Sequence, residues 1–385
     1  MGITWTLAID YILLKGLPEE TGYYRMKRFN YGDLESYIKT INASDYSTRR
    51  NYLGGSTELS EYITRGVISL PRVRDLILEK SSPQAAYKLI NELAWREYWH
   101  LVWQVRGDDI YDYFRPLSQS RHQGIPEAIL RADTGIVALD DGIRQLQQTG
   151  YIHNHMRLWL AGLICNVAQC DWKVGAEWMH SYLIDGDYAS NHLSWQWVAG
   201  SYTGKPYLPQ QGNINEFSQT KQFETYLDNS YEIIAEMPVP DRLSEITSVL
   251  PFHDSQLPTS LVELSELIDC KEILLYSPWT LDPNWMAQSK AAKILLIDSR
   301  VFKPGKFSQN VIDSILWFAH QIPDIKVLYA MPQDLSHLED KLFRKSYAGI
   351  SDWPGKISPV EQLYPNVPVK FYPSFSSFWK QAVKN

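Results

Sequence analysis

One charged residue constrains this chain more than any other. From Thr149 to Trp197 it reads TGYIHNHMRLWLAGLICNVAQCDWKVGAEWMHSYLIDGDYASNHLSWQW. Leu158, Ala161, Leu163, Ile164 and Val167 recur at near-helical spacing with few charges, which predicts a buried helix. Arg157 stands at its start. An isolated guanidinium in a dry interior is very costly, so a carboxylate must meet it. Asp185 and Asp187, in Leu183-Ile184-Asp185-Gly186-Asp187, are the obvious partners. A paired charge beside aromatic rings and an Asn is a frame for a planar polar ligand.

Other blocks carry polar groups at element starts. In Tyr46–Val73 a Gly54-Gly55 turn precedes Ser56-Thr57-Glu58-Leu59-Ser60 at a helix start. Free N–H groups and hydroxyls there suit a diphosphate. Standing alone, the block reads as an ordinary capping box. Asn91–Trp103 places Trp95, Trp99 and Trp103 every four residues, one helical stripe. For Trp99 and Trp103 a packed seam is expected, and for Arg96 and Glu97 a structural ion-pair network. In Thr134–Leu146, Asp140 and Arg144 at i,i+4 read as a solvated pair. Asp33 is the expected cap of a helix from Tyr31. Ile3–Leu14 reads as a strand or a short helix.

Taken together, these segments resemble the photolyase/cryptochrome flavoprotein family. The resemblance rests on Gly150 to Asn154, Arg157, Asp171-Trp172, Leu183 to Asp187, Asn191 and Trp195-Gln196-Trp197, which agree in order. It covers roughly residues 46–215 and implies a helical FAD-binding domain. It implies cofactor contacts from Tyr46, Ser56, Thr57, Glu58, Leu59, Ser60, Asn154, Arg157, Asp185, Gly186, Asp187 and Asn191. Arg157 and Asp185 would form a salt bridge beside the flavin ring, Asp187 would meet its polar edge, and Asn191 would face N5. Trp195 and Trp172 match the inner two members of a tryptophan electron relay. The outer member has no Trp around Ser118–Gln123; Trp159, Trp178 or a Tyr is left to substitute, or the relay is short. Glu92, Trp95, Asn154 and Trp197 would contact a flipped pyrimidine dimer in damaged DNA; Glu92, Asn191 and the two relay indoles are the catalytic candidates. Against lesion binding, His155 stands where the family often has Arg, and a neutral imidazole is a weak phosphate contact. The implied activity is light-driven electron transfer with dimer repair (a deoxyribodipyrimidine photo-lyase). The alternatives are a cryptochrome-like photosensor without repair and a protein whose FAD site is vestigial.

Composition limits the partners. Net charge is −7, which counts against broad nucleic-acid binding. The three cysteines suit a reducing compartment, so a cytoplasmic protein is expected. They cannot supply four thiolates to an iron–sulfur cluster, and no metal site is expected. No apolar run reaches membrane-spanning length. Met1–Thr6 fits the loose myristoylation pattern, a short match of little weight.

Three segments are expected: a helical FAD-binding domain over 1–240, a Pro-punctuated linker over 241–268, and an α/β, doubly wound Rossmann-like domain over 269–385. Strands are expected at Glu272–Tyr276, Lys293–Ile297, Lys326–Ala330 and Val369–Tyr372, with a helix at Val311–His320. This unit lacks a G-x-G-x-x-G or P-loop. It reads as a permuted antenna-like domain or as an unrelated scaffold that docks a protein partner.

Overall fold

The structure, a computed structural model, describes residues 28–117 and 121–384. The expectations for Ile3–Leu14, for Met1–Thr6 and for part of Ser118–Gln123 lie outside these residues. The amino-terminal two-thirds is helical. Its long helix Pro83–Arg106 starts at Ser82, whose hydroxyl accepts from the Ala85 amide, with Pro83 at the first helical position. The helix after Asn30 is capped by Asn30 itself, which accepts from the Asp33 amide. Asp33 therefore lies inside the first turn, favoured there by the helix dipole.

The buried helix is present as Asn154–Gly162 and continues through a π-turn at Leu163–Val167. Helices Trp172–Tyr182 and Tyr188–Ala199 follow. Gly150 ends the preceding helix, Val137–Thr149, in the left-handed region at φ 72°. A Cβ there would lie 2.6 Å from Ile184 and 2.8 Å from the Tyr182 carbonyl oxygen. Gly150 thus permits the close crossing that brings Leu183–Asp187 back over Arg157.

The carboxy-terminal third holds a five-stranded, all-parallel sheet. Its strands are Ile273–Tyr276, Ala292–Asp298, Ile325–Ala330, Leu342–Lys345 and Lys356–Ser358. In space the order is third, second, first, fourth, fifth. Three strands and the helix Gln309–Ala319 fall where expected. Val369–Tyr372 is not a strand; Pro368 and Pro373 flank it and limit ladder hydrogen bonds. The connections are less helical than a doubly wound unit implies. Pro332–Lys341 is a 3-10 helix, and no helix separates the first two strands.

Burial does not follow the sequence order of the units. Residues between Leu34 and Ile110 share one apolar core with the sheet and the final helix, Phe375–Ala382. Residues between Ile125 and Leu243 form a second core around Trp159, Trp172 and Trp178. Part of the linker segment is structured, because Ile246–Thr247 pairs antiparallel with Ile125–Pro126. Arg65, 2% exposed, joins the two parts. Its guanidinium donates to the carbonyls of Ile184 at 2.5 Å and Pro278 at 3.3 Å. Burial lowers its pKa to about 10. Trp279, just past the first strand, stacks on Tyr347, just past the fourth, at 5.4 Å and 5°. These rings cover the carboxyl ends of the strands where the order reverses.

Candidate functional site

Arg157 meets the carboxylate that its burial demands. Its Nη2 donates to both Asp185 oxygens at 3.0 and 2.9 Å, and its Nε donates to the Ile152 carbonyl at 3.0 Å. The Asp185 side chain is 3% exposed and the Arg157 side chain 22%. Asp185 is held in turn through its backbone, where Thr64 Oγ1 donates to its carbonyl at 3.2 Å. The pair forms one wall of a cavity of about 80 Å³. Asn154, Asp187, Asn191 and Trp195 also border it, with Leu158 and Met179 as apolar wall. Asn191 Nδ2 donates to the Ala176 carbonyl at 3.0 Å. Trp195 is seated by Gly175, where a Cβ would come within 2.5 Å of the indole.

Asp187 is bound more firmly than the sequence indicated. It caps the helix Tyr188–Ala199 by accepting from the Ser190 amide at 2.8 Å. His100 Nε2 lies 2.9 Å and Arg96 3.5 Å away, and the Tyr347 hydroxyl donates at 3.2 Å. Burial alone would raise the pKa of this carboxyl. Arg96, His100 and the Ser190 side chain hold it well below its ordinary value instead. His100 and Tyr347 were not found from the sequence. The i,i+4 spacing of Arg96 and His100 on one helix face was the available signal. Arg96 and Glu97 do not pair with each other. Glu97 accepts from the amides of Leu363 and Tyr364. Asp140 is buried rather than solvated, accepting from Thr134 N and Oγ1 and from Gly135 N, while Arg144 pairs with Asp141.

The Ser56–Ser60 block connects to Arg157 and Asp185 through Tyr151, which lies near both. Tyr151 donates its hydroxyl to Ser56 Oγ at 2.8 Å, and Tyr37 donates to the Thr57 carbonyl at 3.1 Å. The helix it opens, Ser60–Thr64, has no side-chain cap bond at Leu59, so no capping box forms. Glu58 adopts φ 55° and is half-buried, which raises its carboxyl pKa. Leu59 is buried. Burial likewise raises the Tyr46 phenol, against the pull of Arg50. Gly186 packs against His180, whose imidazole nitrogen would lie 3.1 Å from an added Cβ.

The four lesion-contact candidates each have their own neighbours. Asn154 borders the cavity. Glu92 is paired with Arg50 at 3.3 Å, and burial raises its pKa. Trp95 stacks face to face on Phe375 at 3.9 Å, so an aromatic ring of the final helix occupies one face of the indole. Trp197 leans on Tyr207 at 6.1 Å. His155 stacks on Trp159 at 4.5 Å and its Nδ1 lies 3.0 Å from the Asn51 carbonyl. Burial lowers its pKa, so it is a neutral, inward-facing group. Trp99 and Trp103 are core residues, as expected. Among the described residues no group of His, Cys, Asp and Glu could hold a metal, and no helix is long and apolar enough to cross a membrane.

The lining suits a flavin: a guanidinium, carboxylates and amides together with apolar side chains and an indole. The volume does not yet suit it. Pockets for ligands of drug size span roughly 300–1,000 Å³, so side chains at the mouth must move to admit the ring.

Part of the chain is similar to known proteins. Residues 89–236 match the family described as the FAD binding domain of DNA photolyase. A deoxyribodipyrimidine photo-lyase of Buchnera aphidicola is 32% identical over 205 residues, covering 50% of this chain and 42% of that protein. A cryptochrome DASH of Ostreococcus tauri, described as chloroplastic/mitochondrial, is 31% identical over 194 residues, 48% of this chain and 34% of that protein. The chain thus spans less than half the length of these curated relatives. A solved cryptochrome structure from Synechocystis overlaps 50% of this chain and 44% of its own, at 22% identity and a TM-score of 0.44. Over residues 89–236, then, the chain is similar to the FAD binding domain of DNA photolyase.

Proposed function

We propose that this chain is an FAD-dependent flavoprotein that uses light to move an electron along its own indoles. The observation that carries the reading is the Arg157–Asp185 pair on the wall of a cavity shared with Asn191 and Trp195. Bound FAD supplies light absorption and one-electron chemistry. Arg157 and Asp185 position its ring, and Asn191 offers an amide at the edge. Hydroxyls of Ser56, Thr57 and Ser60, with Tyr46, hold the diphosphate. Trp195 forms the indole wall, and Trp172, in the same buried core, is the next donor. Purified protein should bind about one FAD per chain, and light should reduce it. Trp195→Phe should slow that photoreduction at least tenfold; colourless protein that takes up no FAD would end the proposal.

Two readings of the output divide on the lesion contacts. Dimer repair requires Glu92, Trp95, Asn154 and Trp197 to face one opening, and the Phe375 ring on Trp95 opposes this. The photosensor reading is favoured by the Tyr347–Asp187 bond, which ties the flavin loop to the sheet unit. That unit then acts as the site for a protein partner. Near-ultraviolet repair of a thymine-dimer oligonucleotide by reduced protein decides between them. Repair at stoichiometric protein would exclude the sensor-only reading.

A further inference from the structure

The indole relay lacks an outer member, and the fold places a phenol there. Trp172 is completely buried and its ring meets that of Tyr113 edge-on, at 6.0 Å between centroids and 79° between planes. Tyr113 is half-buried. It lines a surface cleft of about 430 Å³ together with Arg121, Gln123 and Asp171. Trp159 and Trp178, the indoles available as substitutes, are completely buried and pack on His155 and Tyr182 instead.

Asp171 faces the phenol from the start of the next helix. It is 4% exposed and caps the helix Trp172–Tyr182, accepting from the Lys173 amide at 2.9 Å and from Gln123 Nε2 at 3.1 Å. Burial first, and then this carboxylate, push the Tyr113 pKa up. Other charges also face the ring. Lys173 Nζ lies 5.1 Å from its centroid and is paired with Asp112 at 2.8 Å; Arg121 and Cys165 are near the hydroxyl.

We propose that Tyr113 is the outermost electron donor of the relay, with Asp171 as its proton acceptor. The proposal rests on the light-driven reading above. Trp172, once oxidised to its radical cation by loss of one electron inward through Trp195, takes one electron from Tyr113. The Tyr113 O–H bond breaks, and the proton bonds to an Asp171 carboxylate oxygen. Neutral Trp172, a neutral tyrosyl radical and a protonated Asp171 result, so charge balances. A phenol is a poor donor while it keeps its proton. A buried carboxylate beside it is what makes the outward step downhill, and neutralising the pair holds the oxidising equivalent away from Trp172.

The test uses the FAD-loaded full chain, with light-excited flavin as the one-electron oxidant. After a flash, electron paramagnetic resonance should show a tyrosyl radical in the wild type and a tryptophan radical alone in Tyr113→Phe. Formation of the tyrosyl signal should slow at least twofold in D2O, and Asp171→Asn should reduce its yield at least fivefold. Asn keeps the helix cap, so this variant retains the local fold. In flavin-free protein, a phenolate absorbance titration of wild type minus Tyr113→Phe should place the phenol above free tyrosine, with Asp171→Asn lowering it. An identical radical spectrum in wild type and Tyr113→Phe would overturn the assignment while leaving the relay intact. No radical in the wild type would remove both the relay and its outer member.

Discussion

Replacing Asp185 by Asn keeps the shape of the carboxylate and one acceptor but removes the charge opposite Arg157. Breaking a buried ion pair from one side typically costs about 3–5 kcal/mol, because the other charge is left behind. Arg157 keeps the Ile152 carbonyl and 22% of its side-chain exposure, which softens the loss. The expected destabilisation is therefore about 2–3 kcal/mol, below the fully buried range. With a urea slope of about 3 kcal/mol/M, the midpoint falls by about 1 M. A second variant separates stability from ligand chemistry. Arg157→Met with Asp185→Leu should recover to within about 1 kcal/mol of wild type, since well-packed apolar pairs often replace ion pairs without loss. It should nevertheless retain no FAD. A shift below about 0.5 kcal/mol in Asp185→Asn, within the range of an exposed ion pair, would refute the claim that this pair is what allows the helix to be buried.

Three further outcomes are expected. His153 and His192 are 6% and 5% exposed, and burial lowers both to about 4. Their folded pKa values lie below the unfolded value, so the stability they permit is complete above about pH 6.5. It is lost as pH falls toward 4, on the order of 3 kcal/mol for each. Urea midpoints from pH 7 to 4.5 should decline, and His153→Asn, which keeps the cap acceptor, should flatten the slope; a flat wild-type profile would contradict this. Gly175→Ala drives a Cβ to 2.5 Å from the Trp195 indole; overpacking should cost about 1–3 kcal/mol and shift the Trp195 emission. Unchanged emission would mean that the glycine does not seat that ring. Cys165 and Cys170 are buried, with pKa values pushed up (Cys170 to about 12), whereas Cys270 is half-exposed. A disulfide reagent should therefore label one thiol quickly in native protein and all three in urea.

The centre of the site was legible because its logic is local and severe. A charge in an apolar helix needs a partner, and Asp185 lies 28 residues away in the same motif. The stack on Trp95 was not legible, because a helical stripe does not say what will cover it; Phe375 is 280 residues further along the chain. Asp140 looked solvated because i,i+4 spacing ignores the Thr134 and Gly135 amides that enclose it. Val369–Tyr372 has strand composition, yet neighbouring prolines decide against it. Tyr347 was invisible as a site residue, since no pattern in its own segment announces a partner 160 residues upstream.

The stacked rings at the mouth of the sheet have a cost. In open parallel sheets of this strand order, ligands ordinarily settle beyond the carboxyl ends, at the reversal between the first and fourth strands. Here Trp279 and Tyr347 occupy that hollow, and each also grips the loop behind it, through the Gly186 carbonyl and the Asp187 carboxylate. A guest could lodge there only by prising the two halves of the molecule apart. The berth that such sheets usually keep for a nucleotide has become a hinge pin.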